Sequence, residues 1–206
     1  MKAEPISRPM AVAFRRLRNW FAILAILGAC IALATGGDEL RALGRYQRDA
    51  LENGQYWRLV TAHLVHLGWG HLWPNLAALA IIGALFDGVF RNADWWRVSL
   101  VSAAAIDVGL YVFDPGVLWY VGLSGVLHGF VAAGAFALCL RRQMFGIALA
   151  IGLCAKLTFE QLAGPVPFTA AAVGGPVVVA AHLYGAAGGV LAEAMAHVIR
   201  RRRSRV

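Results

Sequence analysis

The sequence predicts an all-α membrane protein with six transmembrane helices, and three observations carry that reading. Hydrophobic side chains make up 60% of the 206 residues and charged ones 15%, with a mean hydropathy of +0.64; soluble domains carry about 25% charged residues. Six apolar stretches stand out, at 19–35, 69–90, 95–113, 120–140, 144–163 and 171–199, against the roughly 20 residues that a spanning helix needs. The Lys and Arg residues gather at the chain ends and in short connections. They lack aromatic interleaving and any nucleic-acid motif, so the net charge of +8 marks topology and no nucleic-acid partner is expected.

The whole chain, 1–206, reads as one membrane domain with a basic lead (1–18) and a basic tail (200–206), free of repeats and flexible linkers. The first apolar stretch ends in "ATGGDEL" without a convincing small-x-small cleavage site, and a retained anchor is expected. The connection that follows, 36–68, is long for so small a protein and is expected to be structured or functional. Cys30, Cys139 and Cys154 are odd in number and widely spaced, and read as small core residues.

Orientation follows from charge, because Lys and Arg near span ends stay on the cytoplasmic side. With the N-terminus inside, 14 of the 19 basic residues fall in cytoplasmic segments, and both termini are cytoplasmic. The second, fourth and sixth stretches then all run inward from the opposite face. His71 and Asn75, Ser124, and His182 consequently lie at similar depth on three helices.

Polar groups at membrane depth are costly and face the bundle interior, where they find partners or do chemistry. An arbitrary membrane serine is most simply a back-bonded packing residue. The setting of Ser124 differs: Gly122 and Gly125 flank it, and a helix begins there, leaving backbone N–H groups that suit an oxyanion. His182 is the histidine placed by depth to act as its base. Gly125, Gly129 and Ala133 on the fourth stretch, and Ala181, Gly185 and Gly189 on the sixth, form small-residue stripes that let two helices approach closely. His71 and Asn75, four apart, share a helix face and can donate to an oxyanion, or else join helices as a polar pair.

Other polar residues read more plainly. His63, His66 and His71 lack a His-Glu-x-x-His arrangement and a carboxylate ligand, so no metal site is assigned. Asp107 either hydrogen-bonds within the bundle or tunes the site, and Lys156 and Glu160, four apart, can pair with each other.

Taken in order, "YWRLVTAHLVH", "HLWPN", "GLSG" and "AHLYGAAGG" resemble the rhomboid intramembrane serine proteases over about Tyr56 to Glu193. The pair Trp57-Arg58 begins 14 residues before His71, as in bacterial rhomboids. The resemblance implies the six-helix rhomboid fold and a catalytic Ser124–His182 dyad needing no acidic third member. It also implies an oxyanion site of His71, Asn75 and the Ser124 N–H, and structural roles for Trp57, Arg58, His66, Gly185 and Gly189. Many rhomboids carry Tyr four residues after the nucleophile, where this chain has His128, a neighbour of the site that either contacts His182 or fills space. In this respect "GLSGVLHG" looks like the rhombosortase branch, associated with substrates ending in a GlyGly-CTERM tail: a Gly-Gly motif, an apolar helix and a basic end. The expected protein is therefore an endopeptidase of the bacterial inner membrane. It would use no cofactor and no metal, act on a transmembrane-helix substrate within the lipid bilayer, and open its site to the periplasm. The competing expectations are a non-catalytic rhomboid-like binder of membrane helices and a channel, the latter disfavoured by the apolar inner halves of the stretches.

Overall fold

The structure, a computed structural model, describes residues 8–167 and 173–203, with side chains over 20–167 and 173–203. The start of the basic lead (1–7), the end of the basic tail (204–206) and Phe168 of the fifth connection lie outside the described residues. Each of the six apolar stretches overlaps one long helix: α1 (Arg8–Thr35), α5 (Trp69–Leu85), α6 (Asn92–Val112), α7 (Ser124–Leu140), α8 (Met144–Ala163) and α9 (Val179–Arg203), although the sixth stretch, 171–199, begins outside the described residues and its helix starts only at Val179. The first connection holds α2 (Gly37–Gly44), β1 (Tyr46–Gln47), α3 (Arg48–Glu52) and α4 (Arg58–Thr61), while β2 (Trp119–Tyr120) precedes α7. By length and composition alone, α8 is the one described helix that suffices to cross a membrane. The α1–α2 pair qualifies only as a unit bent by 119°, and α5 and α7 are apolar but only 17 residues long.

Helix α9 packs most extensively on α7 and next on α6, and glycines explain how closely it approaches α7. A Cβ on Gly185 would collide with the Gly125 carbonyl, and one on Gly189 with that of Gly129. The two small-residue stripes therefore face each other, backbone against backbone. Aromatic bulk fills the wider gaps: Trp95 meets Phe90 and Phe130 edge to face at 4.9 Å. Outward faces carry Ile81, Leu100, Val108, Ile151 and Leu162, all well exposed, a surface fitted to lipid rather than water.

Opposite the start of α7, Arg91, Arg141 and Arg200 line one cleft with Glu193 and Asp94. Arg97 bridges α6 to α9 there, donating to Asp94 Oδ1 at 2.6 Å and Glu193 Oε2 at 3.0 Å, and Arg200 also pairs with Glu193. Three of the basic clusters used to orient the chain thus sit at one end of the bundle.

The first connection is built, as its length suggests, and it grips the entrance to α7. Tyr46 pairs with Tyr120 and Gln47 with Trp119 in an antiparallel two-stranded ladder. The Arg48 N–H donates to the Leu118 carbonyl (3.0 Å) and the Gly122 N–H to that of Ala62 (2.8 Å). Arg48 also caps the C-terminal end of α6, its guanidinium donating to the Leu110 and Tyr111 carbonyls at 2.8 and 3.1 Å. Buried Arg58 holds the connection together by donating to the carbonyls of Ala42 and Arg45 and to the Gln55 side chain. Trp57 lies on the surface, its indole N–H donating to the Leu43 carbonyl at 3.2 Å.

Candidate active site

Ser124 is the first residue of α7, so its backbone N–H has no partner within the helix. Its Oγ lies 3.0 Å from Nε2 of His182, one turn into α9. Two devices bring them together. The ladder and the Gly122 bond fix where α7 starts, and the glycine contact fixes how near α9 lies.

Gly122 has a second role. Its φ of +117° is a conformation that side chains rarely adopt, and a Cβ there would meet His71 Nε2 at 3.0 Å and Cε1 at 2.7 Å. The missing side chain lets the His71 imidazole lie against the loop beside Ser124. His71 Nδ1 accepts the Leu67 N–H at 3.4 Å, so the ring proton belongs on Nε2, the nitrogen facing Gly122. Asn75, one turn on, uses an amide N–H to donate to the His71 carbonyl at 2.8 Å, keeping its second for another acceptor.

His66 steadies the same loop. Its Nδ1–H donates to the Leu64 carbonyl at 3.0 Å, and its Nε2 accepts the Leu123 N–H at 3.5 Å. That pattern requires a neutral ring, and burial, helped by the nearby His71, pushes the His66 pKa down to about 4.

His128 lies one turn after Ser124 and stacks on His182, with ring centroids 4.1 Å apart and planes 16° from parallel. Its Nδ1–H donates to the Ser124 carbonyl at 2.7 Å. Of the two arrangements open to it in the sequence, contact with His182 is the one adopted.

The structure adds a contact that the family resemblance does not call for: Glu160 of α8 places Oε2 2.9 Å from His182 Nδ1. Its other oxygen accepts from Lys156 Nζ at 2.6 Å. The Lys156–Glu160 pair explains itself locally on a helix, which hides the second contact. The signal was nevertheless present: Glu160 lies near the end of the fifth stretch, level with the start of the fourth by the same topology that aligns Ser124 and His182.

These side chains line a cavity of about 590 Å³ between α5, α7 and α8, with polar groups at one end and apolar walls that include Ile82, Val131, Leu149 and Leu153. His71 and Ser124 also border a smaller cavity of about 270 Å³ beside β2. The size and lining of this space suit an apolar segment, with Ser124 among the polar groups that line it. Among the described residues, His128, Glu160 and His182 offer ligand atoms within 4.8 Å of one another, but Glu160 and the His182 nitrogens are engaged in the bonds above.

A rhomboid-domain family model matches residues 53–198. The chain is 27% identical over 139 residues to the putative rhomboid protease YdcA of Bacillus subtilis (strain 168), covering 68% of this chain and 66% of that one. It is 26% identical over 112 residues to the rhomboid protease GluP of the same organism, covering 54% of this chain and 22% of that one. With RHOMBOID-like protein 5 of Arabidopsis thaliana it shares 31% over 97 residues, 46% of this chain and 31% of the relative. The match thus spans just under two thirds of the first relative's length and less than a third of the other two.

Proposed function

This chain belongs to the rhomboid family, an integral membrane family, and from that premise we propose that it is an intramembrane serine endopeptidase. The observation that carries the reading is the 3.0 Å contact between Ser124 Oγ and His182 Nε2 at the polar end of an apolar cavity. Ser124 attacks the scissile carbonyl while His182 takes its proton, then returns it to the leaving amine. The His71 Nε2–H, the free Asn75 N–H and the Ser124 backbone N–H hold the negative oxygen. Water entering from the outer face completes the cycle by deacylation.

Six spans with both termini in the cytoplasm fit the gathering of Arg91, Arg141 and Arg200 at the end away from Ser124. The site then opens to the periplasmic side of a bacterial inner membrane. His128 in place of the more usual Tyr supports the rhombosortase branch, and with it a substrate anchored by a C-terminal Gly-Gly, apolar-helix and basic tail. Small residues at the cut suit the chemistry, because glycine unwinds readily into the extended form that a nucleophile can reach.

The test is direct. Purified protein in liposomes is expected to cleave a reporter bearing such a tail, and Ser124→Ala to abolish cleavage without loss of fold. A serine-reactive fluorophosphonate is expected to label the wild type alone. Undiminished cleavage by Ser124→Ala would overturn the assignment, and equal cleavage of a tail lacking Gly-Gly would overturn the substrate class.

A further inference from the structure

We propose that Glu160 is a positioning residue for His182, completing a Ser124–His182–Glu160 chain, and that Lys156 sets how Glu160 presents itself; the inference rests on the Ser124–His182 reading above. Glu160 is 1% exposed and His182 3%. A carboxylate removed from water needs partners for both oxygens, and each has one: Lys156 on Oε1 and the His182 Nδ1–H on Oε2. An ordinary i,i+4 pair would keep both oxygens near Lys156 and water. Here the second oxygen faces the imidazole nitrogen opposite the serine.

The chemical consequence is a fixed tautomer. A carboxylate can only accept, so the His182 proton belongs on Nδ1 and the lone pair on Nε2 points at the Ser124 hydroxyl. When Oγ bonds to the substrate carbonyl carbon, the π pair moves to oxygen and the Oγ proton moves to Nε2. The imidazolium so formed is stabilised by Glu160, which itself takes no proton. Collapse of the intermediate breaks the C–N bond as Nε2 returns the proton to the amine. Among the described residues, His128 and Ser124 from α7, His71 and Asn75 from α5, and Lys156 and Glu160 from α8 are the ionisable or polar groups that line the cavity with this ring.

Lys156 makes the proposal sharply testable. In Glu160→Gln, the ammonium claims the amide oxygen and turns the NH2 toward His182 Nδ1. That forces the ring proton onto Nε2, where it blocks proton transfer from Ser124. Adding Lys156→Met frees the amide to turn over and accept from Nδ1 again. The expected results, on reporter cleavage by the purified full-length protein, are a kcat loss of about 10³-fold for Glu160→Gln with KM within about threefold. The Lys156→Met, Glu160→Gln double variant is expected to regain about tenfold over the single variant. A merely structural pair predicts the opposite ordering, with the double variant no faster than the single one.

Glu160→Gln within about threefold of wild type in kcat would overturn the proposal, as would a double variant that gains nothing. Independently of how the variants fold, the 15N spectrum of wild-type His182 is expected to show the proton on Nδ1, and a proton on Nε2 would overturn it too. Ser124→Ala separates the two layers of inference. If it still cleaves, the nucleophile reading fails; if it is inactive while Glu160→Gln is unimpaired, only the role of Glu160 falls.

Discussion

Two buried histidines in this bundle each lie beside a carboxylate, and their surroundings differ in every respect that matters for chemistry. His182 is hydrogen-bonded to Glu160 at 2.9 Å, faces Ser124 across the ring and borders the large cavity. His63 lies 3.3 Å from Asp107, out of line for a hydrogen bond, and neither of its nitrogens has a hydrogen-bond partner among the described residues. Its ring leans on Tyr120 at 5.6 Å. A histidine and a carboxylate therefore do not make a site by themselves. What decides is the group across the ring, and whether the carboxylate is held from behind as Lys156 holds Glu160.

The largest expected effect breaks the first pair. His182→Asn should lower kcat by about 10³-fold or more, as loss of the base does in serine hydrolases. Cleavage of the tailed reporter, with circular dichroism to verify fold, checks it.

Next comes the support on which the first pair depends. Gly185→Val puts a branched side chain where the Gly125 carbonyl already sits, so α7 and α9 must part. A displacement of about 1 Å suffices to lower activity about 100-fold, and forced overpacking costs about 1–3 kcal/mol besides. Loss of both activity and melting temperature is expected. Retained activity would mean that the glycine contact is not what sets the serine–histidine distance.

A smaller effect separates the two contributions of His128. His128→Phe keeps a ring for His182 to stack on but loses the bond to the Ser124 carbonyl, whereas His128→Ala loses both. Stacking and one hydrogen bond are each worth about 1 kcal/mol, so kcat/KM should fall about fivefold for Phe and about 30-fold for Ala. Equal losses would assign the whole role to the hydrogen bond.

Much of the first region was legible in the sequence and little of the second, for physical reasons. Read as a topology signal, the charge asymmetry leads one to expect His71, Asn75, Ser124 and His182 at one depth, and the structure places Ser124 beside His182. Repeated small residues at four-residue spacing announce the α7–α9 contact. Glu160 was hidden because Lys156, four residues away, accounts for it without reference to the site. The clasp on the start of α7 was hidden more deeply. It consists of two-residue strands, single carbonyls such as that of Ala62, and the Nε2 of His66, none of which leaves a periodic signal. The shortness of α5 and α7 also does not follow from hydropathy, because the apolar stretches run past the helix ends into Phe86 to Phe90 and Tyr120 to Leu123.

The second pair gives the last prediction, and the smallest in activity. Removing His63 alone, as His63→Leu, leaves the Asp107 carboxyl buried without the imidazole beside it, a change expected to cost about 1–3 kcal/mol and to lower the melting temperature. Replacing Asp107 by Leu as well removes the stranded group, and an apolar pair of similar size should restore most of that loss. Through both steps kcat should stay within about twofold of wild type, since neither side chain touches the cavity at Ser124. The same apolar exchange of His182 and Glu160 should leave a folded but inactive protein. A large fall in kcat on exchanging His63 and Asp107 would mean that the two pairs communicate, with Tyr120 as the connection: its hydroxyl donates to the Gly122 carbonyl at 2.7 Å while its ring touches His63.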